Sequence, residues 1–301
     1  MITKLTQIVE AARARGRKRL AVAYGNDAHT LRAVYDAYKE GLVQPVIFGD
    51  RDSILSVCSS EDIDPAVFAI VDEKSDVRCV EMAVAAVASG QADVLMKGLV
   101  STDKYMRGIL NKEAGLFPPK GTLSHVSVIE FPGSSRLLCI SDVAVIPAPD
   151  FKQKVTLIKY LASISRSLGV EEPRIACIAP SEQVLPTVTS SAEAAILAKM
   201  GDRGQLGNVI VDGPLSLDVA LYEESALEKK VKGSSVAGRA DCLLFPNIES
   251  GNVFFKSASH FGGADIAAIV VGTKVPCVLT SRGDTPRTKL FSIALACLQV
   301  K

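Results

Sequence analysis

Short apolar runs alternate with longer helix-patterned segments along almost the whole chain, and that alternation admits few folds. Residues 20–24 read as a strand and 28–40 as the helix after it, with strands again at 45–48 and 68–71. Residues 77–89 have helical spacing, 93–96 form a further strand and 101–111 a helix. Strands separated by helices pair through crossovers, so the pattern predicts a mainly parallel sheet with helices on its faces. Two prolines and two glycines within residues 115–121 make 116–124 a loop. Strand-like segments at 137–140 and 143–146 follow. Pro147-Ala148-Pro149-Asp150 then punctuates the chain ahead of a helix running to residue 168.

The alternation resumes with strands at 174–178, 208–211, 241–245, 266–271 and 276–280, and helices at 190–200, 218–229 and 286–299. A chain of 301 residues is long enough for two domains. The expected boundary is the proline-rich break at 149/150. Apolar residues make up 48 %, ample for two cores, and the net charge of +1 gives no field that would draw nucleic acid or an anionic membrane. An anionic ligand therefore needs a local basic site. Residues 1–10 contain no long apolar run of the signal-peptide kind. No stretch approaches the ~18 uninterrupted apolar residues of a membrane span. A cytoplasmic, non-membrane protein is expected.

The seven cysteines, Cys58, Cys79, Cys139, Cys177, Cys242, Cys277 and Cys297, include no CxxC pair, and most sit among apolar neighbours. They read as small core residues of a reducing compartment, and no metal cluster is expected.

In open α/β sheets ligands gather at the carboxyl ends of strands, and four such places carry polar chemistry. Met96-Lys97-Gly98-Leu99-Val100-Ser101-Thr102 follows a strand and opens a helix, where free N–H groups suit phosphate, although Ser101 or Thr102 also makes an ordinary cap. Asp212-Gly213-Pro214 follows residues 208–211 and either holds a ligand or simply turns the chain. Pro246-Asn247-Ile248-Glu249-Ser250-Gly251-Asn252, with Lys256 a turn later, reads as a polar loop able to bind an anion, or as a cap. In Ser281-Arg282-Gly283-Asp284-Thr285-Pro286, Thr285 suits the N-cap and Pro286 the first helical position. Ser281, Arg282 and Asp284 then occupy the loop feeding the helix, either as a phosphoryl clamp or as a structural pair. His125 and His260 are candidate bases or plain hydrogen-bonders.

Taken in order, Leu95-Met96-Lys97-Gly98-Leu99-Val100-Ser101-Thr102, Ser124-His125, Ser141-Asp142-Val143-Ala144, Asp212-Gly213-Pro214, the 246–252 segment and Ser281-Arg282 resemble the phosphate acetyltransferase and phosphate butyryltransferase family over nearly the whole chain. The Met96-Lys97-Gly98 form and the Ser-Arg-x-Asp pattern at 281–284 are more like the butyryl branch. The resemblance implies two α/β/α domains, isocitrate/isopropylmalate dehydrogenase-like, made of residues 1–149 plus 281–301 and of 150–280, with the active site in the cleft between them. It also implies a homo-oligomer, and reversible transfer of a short acyl group between coenzyme A and inorganic phosphate through an acyl phosphate. Coenzyme A is then a substrate, with no tightly bound cofactor.

By the same resemblance Ser281 and Arg282 are catalytic. The position matching the family's carboxylate base is Thr288, and Asp284 is the nearest substitute. The substrate-binding set implied is Lys97, Gly98, Ser101, Thr102, Arg107, Ser124, His125, Asp142, Asp212, Asn247, Ser250, Gly251, Asn252 and Lys256. Two other classes compete. One is a nicotinamide-dependent dehydrogenase of the same fold, although Tyr24-Gly25-Asn26-Asp27 stands where a GxGxxG would follow the first strand. The other is a non-catalytic protein that senses coenzyme A or phosphate.

Overall fold

A computed structural model describes residues 1–281 and 283–300. The chain divides into two compact units, one made of Leu5–Leu123 with Ile266–Lys301 and the other of Met1–Lys4 with Ser124–Asp265. The division thus falls at 123/124 and 265/266, earlier than the proline-rich break at 149/150 and the return at 281. Residues 127–129 pair with 138–140 of the second unit, and residues 277–278 pair with 95–96 of the first.

The first unit opens with α1 (Leu5–Ala14), β1 (Lys18–Ala23), α2 (Ala28–Lys39), β2 (Val43–Gly49), α3 (Arg51–Ser60), β3 (Ala69–Asp72), α4 (Asp76–Ala88), β4 (Val94–Lys97) and α5 (Thr102–Leu110). Helix α1, unassigned from sequence, buries Leu5, Ile8, Val9 and Ala12, the spacing of a single helical stripe. Asp27 caps α2 by accepting from the Thr30 amide at 2.9 Å.

The second unit contains β5 (Ser124–Glu130), β6 (Leu138–Ser141), α6 (Phe151–Ser167), β7 (Arg174–Ile178), α7 (Thr189–Asp202), β8 (Ile210–Leu215), α8 (Leu217–Leu221), α9 (Glu223–Glu228), β9 (Cys242–Leu244) and α10 (Ile248–His260). Helix α6 starts at a capping box in which Asp150 and Gln153 satisfy each other's amides. Its strands run in the order β5-β6-β9-β7-β8. Only the β5–β6 pair is antiparallel; β6–β9, β9–β7 and β7–β8 are parallel. The expected strand at 143–146 does not exist: the chain bends there, for a reason that belongs to the site. The expected single helix at 218–229 is broken at Tyr222 into α8 and α9.

The chain then returns to the first unit through β10 (Asp265–Val271), β11 (Cys277–Val278) and α11 (Pro286–Gln299). Strand order in that unit is β3-β2-β1-β4-β11-β10, parallel except for the β10–β11 pair. Helix α11 buries Phe291, Ile293, Leu295 and Leu298, and Arg15 donates to the Leu298 carbonyl at 2.7 Å. The consequence for function lies in the strand order. From β1 the chain steps outward to β2 and β3, then crosses back to place β4 on the other side of β1. The switch point of this sheet is therefore between β1 and β4, where an open α/β sheet leaves a crevice at the strands' carboxyl ends.

Candidate active site

Lys97 ends β4 and is only 2 % exposed. Its ammonium donates to the carbonyl oxygens of Gly98 at 3.2 Å and Val100 at 2.9 Å, so it folds its own loop back on itself. Gly98 lies against the turn after β1, donating its amide to the Ala23 carbonyl, while Leu99 donates to Tyr24. A Cβ at position 98 would collide with the Tyr24 carbonyl oxygen, so only glycine permits this approach. Ser101 is the N-cap of α5, accepting from the Lys104 amide at 3.3 Å. Thr102 is exposed on the first turn, and Arg107 pairs with Asp103 in solvent.

The loop before α11 is held from both sides. The Asp284 carboxylate accepts from the Ser281 amide at 2.7 Å. The Lys289 ammonium donates to the Ser281 carbonyl and to the Thr280 hydroxyl, each at 3.1 Å. Thr285 caps α11 and Pro286 occupies its first turn, as expected from sequence. Arg282 lies outside the described residues.

Lys289 was not among the residues singled out from sequence, although a lysine on the buried, mostly apolar face of α11 was a readable signal. It is 3 % exposed, and burial lowers its pKa from the ordinary lysine value while Asp27 and Asp284 oppose the shift. Together with Asp27, Ala28, His29 and Thr30 of the α2 start, and Gly98 and Leu99 after β4, it lines a cavity of about 240 Å³. That cavity sits at the switch point between β1 and β4.

The second unit gathers its own set. Asp142 follows β6 and is 1 % exposed. Its carboxylate accepts from the Ser124 hydroxyl at 2.8 Å and the His125 amide at 3.2 Å across the hairpin. It also accepts from the amides of Ala144 at 2.8 Å, Val145 at 2.9 Å and Ile146 at 3.3 Å. Those three local bonds bend residues 143–146 away from the sheet, which is why this β-branched segment is no strand. The His125 ring lies edge-on to Phe255, with Nδ1 3.4 Å from the Ser127 hydroxyl.

The 246–252 segment is a helix start rather than an open loop. Asn247 caps α10 by accepting from the Ser250 amide at 3.0 Å, and the Ser250 hydroxyl returns to Asn247. Gly251 is packed so tightly that a Cβ would strike the Asp142 carbonyl oxygen, and Asn252 donates to the Val143 carbonyl at 3.0 Å. Lys256 stands over the Phe255 ring at 5.2 Å. Six expected residues (Ser124, His125, Asp142, Asn247, Gly251 and Asn252) thus meet around one bend, with Ser250 and Lys256 on the same helix. Asp212 does not join them. It lies within β8, not after it, and accepts from the Gly213 amide.

All seven thiols are buried, and burial pushes those of Cys79, Cys177, Cys277 and Cys297 up to about 12. Among the described residues no group of three or more His, Cys, Asp or Glu is placed to share a metal ion, and no helix is long and apolar enough to cross a membrane.

A family model described as Phosphate acetyl/butaryl transferase matches residues 3–82 and 77–297. The chain is 42% identical over 298 residues to the phosphate butyryltransferase of Clostridium acetobutylicum, covering 99% of this chain and 98% of that one. It is 39% identical over 297 residues to the phosphate acetyltransferase of Thermotoga maritima, covering 98% of this chain and 99% of the relative. The crystal structure of a branched-chain phosphotransacylase from Enterococcus faecalis superposes with a TM-score of 0.83 at 30% identity, covering 94% of this chain and 99% of that chain.

Proposed function

The chain belongs to the phosphate acetyl/butyryl transferase family, and on that basis we propose that Ser281 and Arg282 handle the reacting oxygens while Asp284 fixes their loop and takes the thiol proton. The protein is a phosphate acyltransferase, moving a short acyl group reversibly between coenzyme A and inorganic phosphate. The observation that carries this reading is the whole-length match, within which the 95–102, 124–125, 141–144, 246–252 and 281–282 motifs stand in order.

In the direction that acylates coenzyme A, the thiol sulfur attacks the acyl-phosphate carbonyl and phosphate departs with the bonding pair. Arg282 and the Lys97–Gly98 loop receive the phosphate, and the Ser281 hydroxyl steadies the acyl or phosphate oxygen. The Oδ2 atom of Asp284 already holds the Ser281 amide, which leaves Oδ1 to accept the thiol proton. An ordinary thiol titrates near ~8.5 and an ordinary aspartate near ~3.9, so full transfer beforehand costs about 6 kcal/mol. Proton transfer concerted with attack on the carbonyl avoids that cost. Asp142 serves by shaping the 143–146 bend on which Gly251 and Asn252 pack, since its acceptor capacity is filled by protein donors.

The finer assignments extend the same reading. Each unit is an α/β/α layer of the isocitrate/isopropylmalate dehydrogenase type, supported by the parallel strand orders. The acyl group is of butyryl size, supported by the Met96-Lys97-Gly98 form. The enzyme works in the cytoplasm as a homo-oligomer, with coenzyme A as a substrate and no resident cofactor. A thiol-release assay with phosphate and acetyl-, propionyl-, butyryl- and valeryl-CoA tests both reaction and chain length. The expected result is turnover that is highest with the four-carbon chain. No release with any of them would refute the function.

A further inference from the structure

The crevices at the two units' switch points differ in a way the acyl-transfer reading does not explain. In the second unit the carboxyl ends of β7 and β9 are closed off by the ion pair of Lys154 with Glu193, and only about 10 Å³ remains, room for one water. In the first unit the crevice between β1 and β4 is a cavity of about 240 Å³, several times the size of a tetrahedral oxyanion.

Its walls are unusual for a space of this kind. Thr30, on the first turn of α2, is 1 % exposed, and its hydroxyl oxygen is buried with no hydrogen-bond partner. A native structure seldom leaves such a group alone unless something else completes it. Helix α2 has 12 residues, and its N-terminus brings partial positive charge to the same wall. Lys289 is placed against two costs, burial and the positive end of its own helix, which Pro286 opens three residues earlier. It uses two N–H groups on Thr280 and Ser281, and an ammonium has three. One wall residue has the opposite character. Asp27 spends Oδ1 on the Thr30 amide, so Oδ2 is an acceptor in a pocket otherwise rich in donors.

We propose that this pocket holds inorganic phosphate in its monohydrogen form as the acyl acceptor. Lys289, the Thr30 hydroxyl and the α2 amides donate to its oxygens, and Asp27 accepts its O–H. The assignment rests on the acyl-transfer reading and adds Lys289, Thr30 and Asp27 to the Arg282 and Lys97–Gly98 loops that receive its phosphate; Gly98 lines the same pocket. The acceptor at Asp27 imposes a specificity: sulfate has no proton to offer at neutral pH and meets a bare carboxylate, whereas phosphate makes a hydrogen bond there.

The test is equilibrium binding of inorganic phosphate and of sulfate to the full-length enzyme, followed calorimetrically, beside steady-state kinetics. Wild type should bind phosphate at least about 10-fold tighter than sulfate. Lys289→Met should weaken phosphate binding about 10-fold or more, the loss of a charge-assisted bond. Thr30→Val should weaken it about 5-fold while leaving thermal stability equal or higher, because the deleted hydroxyl has no partner in the unliganded fold. Asp27→Asn, which can keep the cap, should erase the preference over sulfate.

In all three variants KM for acyl-CoA should stay within about twofold. If Lys289→Met fails to fold, Thr30→Val and Asp27→Asn decide the matter. Phosphate binding unchanged in Thr30→Val and Lys289→Met would overturn the proposal. So would equal binding of sulfate, or a Thr30→Val defect confined to KM for acyl-CoA, which would assign the pocket to coenzyme A's own phosphates. Wild type that binds phosphate here but releases no thiol would refute the acyl-transfer reading and keep the pocket. Normal turnover with unaltered phosphate binding in the variants would do the reverse.

Discussion

Replacing Asp142 by alanine removes the acceptor on which one whole bend is built. Three of its bonds are short: the Ser124 hydroxyl at 2.8 Å and the Ala144 and Val145 amides at 2.8 and 2.9 Å. Hydrogen bonds to a carboxylate contribute about 1.5–3 kcal/mol each, and a donor left buried without a partner costs about 1–3 kcal/mol. At 1 % exposure, water reaches these donors only if the bend opens. Taking the lower end of the ~1.5–3 kcal/mol range for the three short bonds sets the expected loss at about 4.5 kcal/mol, a large part of a typical domain's total stability.

Asp142→Asn keeps the shape but turns an NH2 group toward one set of donors, so about half that loss is expected. The chain contains no tryptophan. Urea denaturation followed by far-UV circular dichroism is therefore the suitable assay, with wild type and both variants compared at equal protein concentration. Because Gly251 and Asn252 pack on the same bend, activity in the alanine variant should fall at temperatures where its secondary structure is still intact. A loss of stability under about 1 kcal/mol in Asp142→Ala would show that the bend is held by something else, and the reasoning would fail.

Gly98→Ala and Gly251→Ala each push a Cβ into a fixed carbonyl oxygen, and each should cost about 2 kcal/mol or more in thermal or urea unfolding. Ellman's reagent should label fewer than one of the seven thiols of the native protein and all of them after denaturation, and no single Cys→Ala variant should abolish turnover; loss of turnover in a folded variant would argue for a covalent route. The Ser216 hydroxyl and then Lys229 hold the Asp218 carboxyl down at about 2, below the ordinary 3.8, so its stabilisation is present above about pH 4 and lost as pH falls toward 2. Solvent screening at 48 % side-chain exposure keeps this to about 0.5 kcal/mol, and urea midpoints of wild type and Asp218→Asn should converge on acidification. Arg282→Lys should be impaired nearly as much as Arg282→Ala in phosphate-varied kinetics, because a lysine cannot reproduce a bidentate grip.

By itself the sequence determined what depends on neighbours along the chain. The strand–helix alternation announced parallel pairing, Thr285 and Pro286 marked the start of α11, and Met96-Lys97-Gly98 was readable as the end of a strand. These follow from local periodicity and capping chemistry, which short segments carry in full. Tertiary structure alone decided the features set by partners remote in sequence. Residues 143–146 have the composition of a strand, yet the Asp142 carboxylate, itself anchored to Ser124 and His125 across the hairpin, bends them out of the sheet. The unit boundary falls at 123/124, just ahead of β5, whose partner β6 lies farther along the chain. Lys289 lies 191 positions after Gly98 and 262 after Asp27, and only the strand order 2-1-4 brings the three to one cavity wall. A buried charge is costly wherever it falls, and which groups offset that cost is a property of the fold.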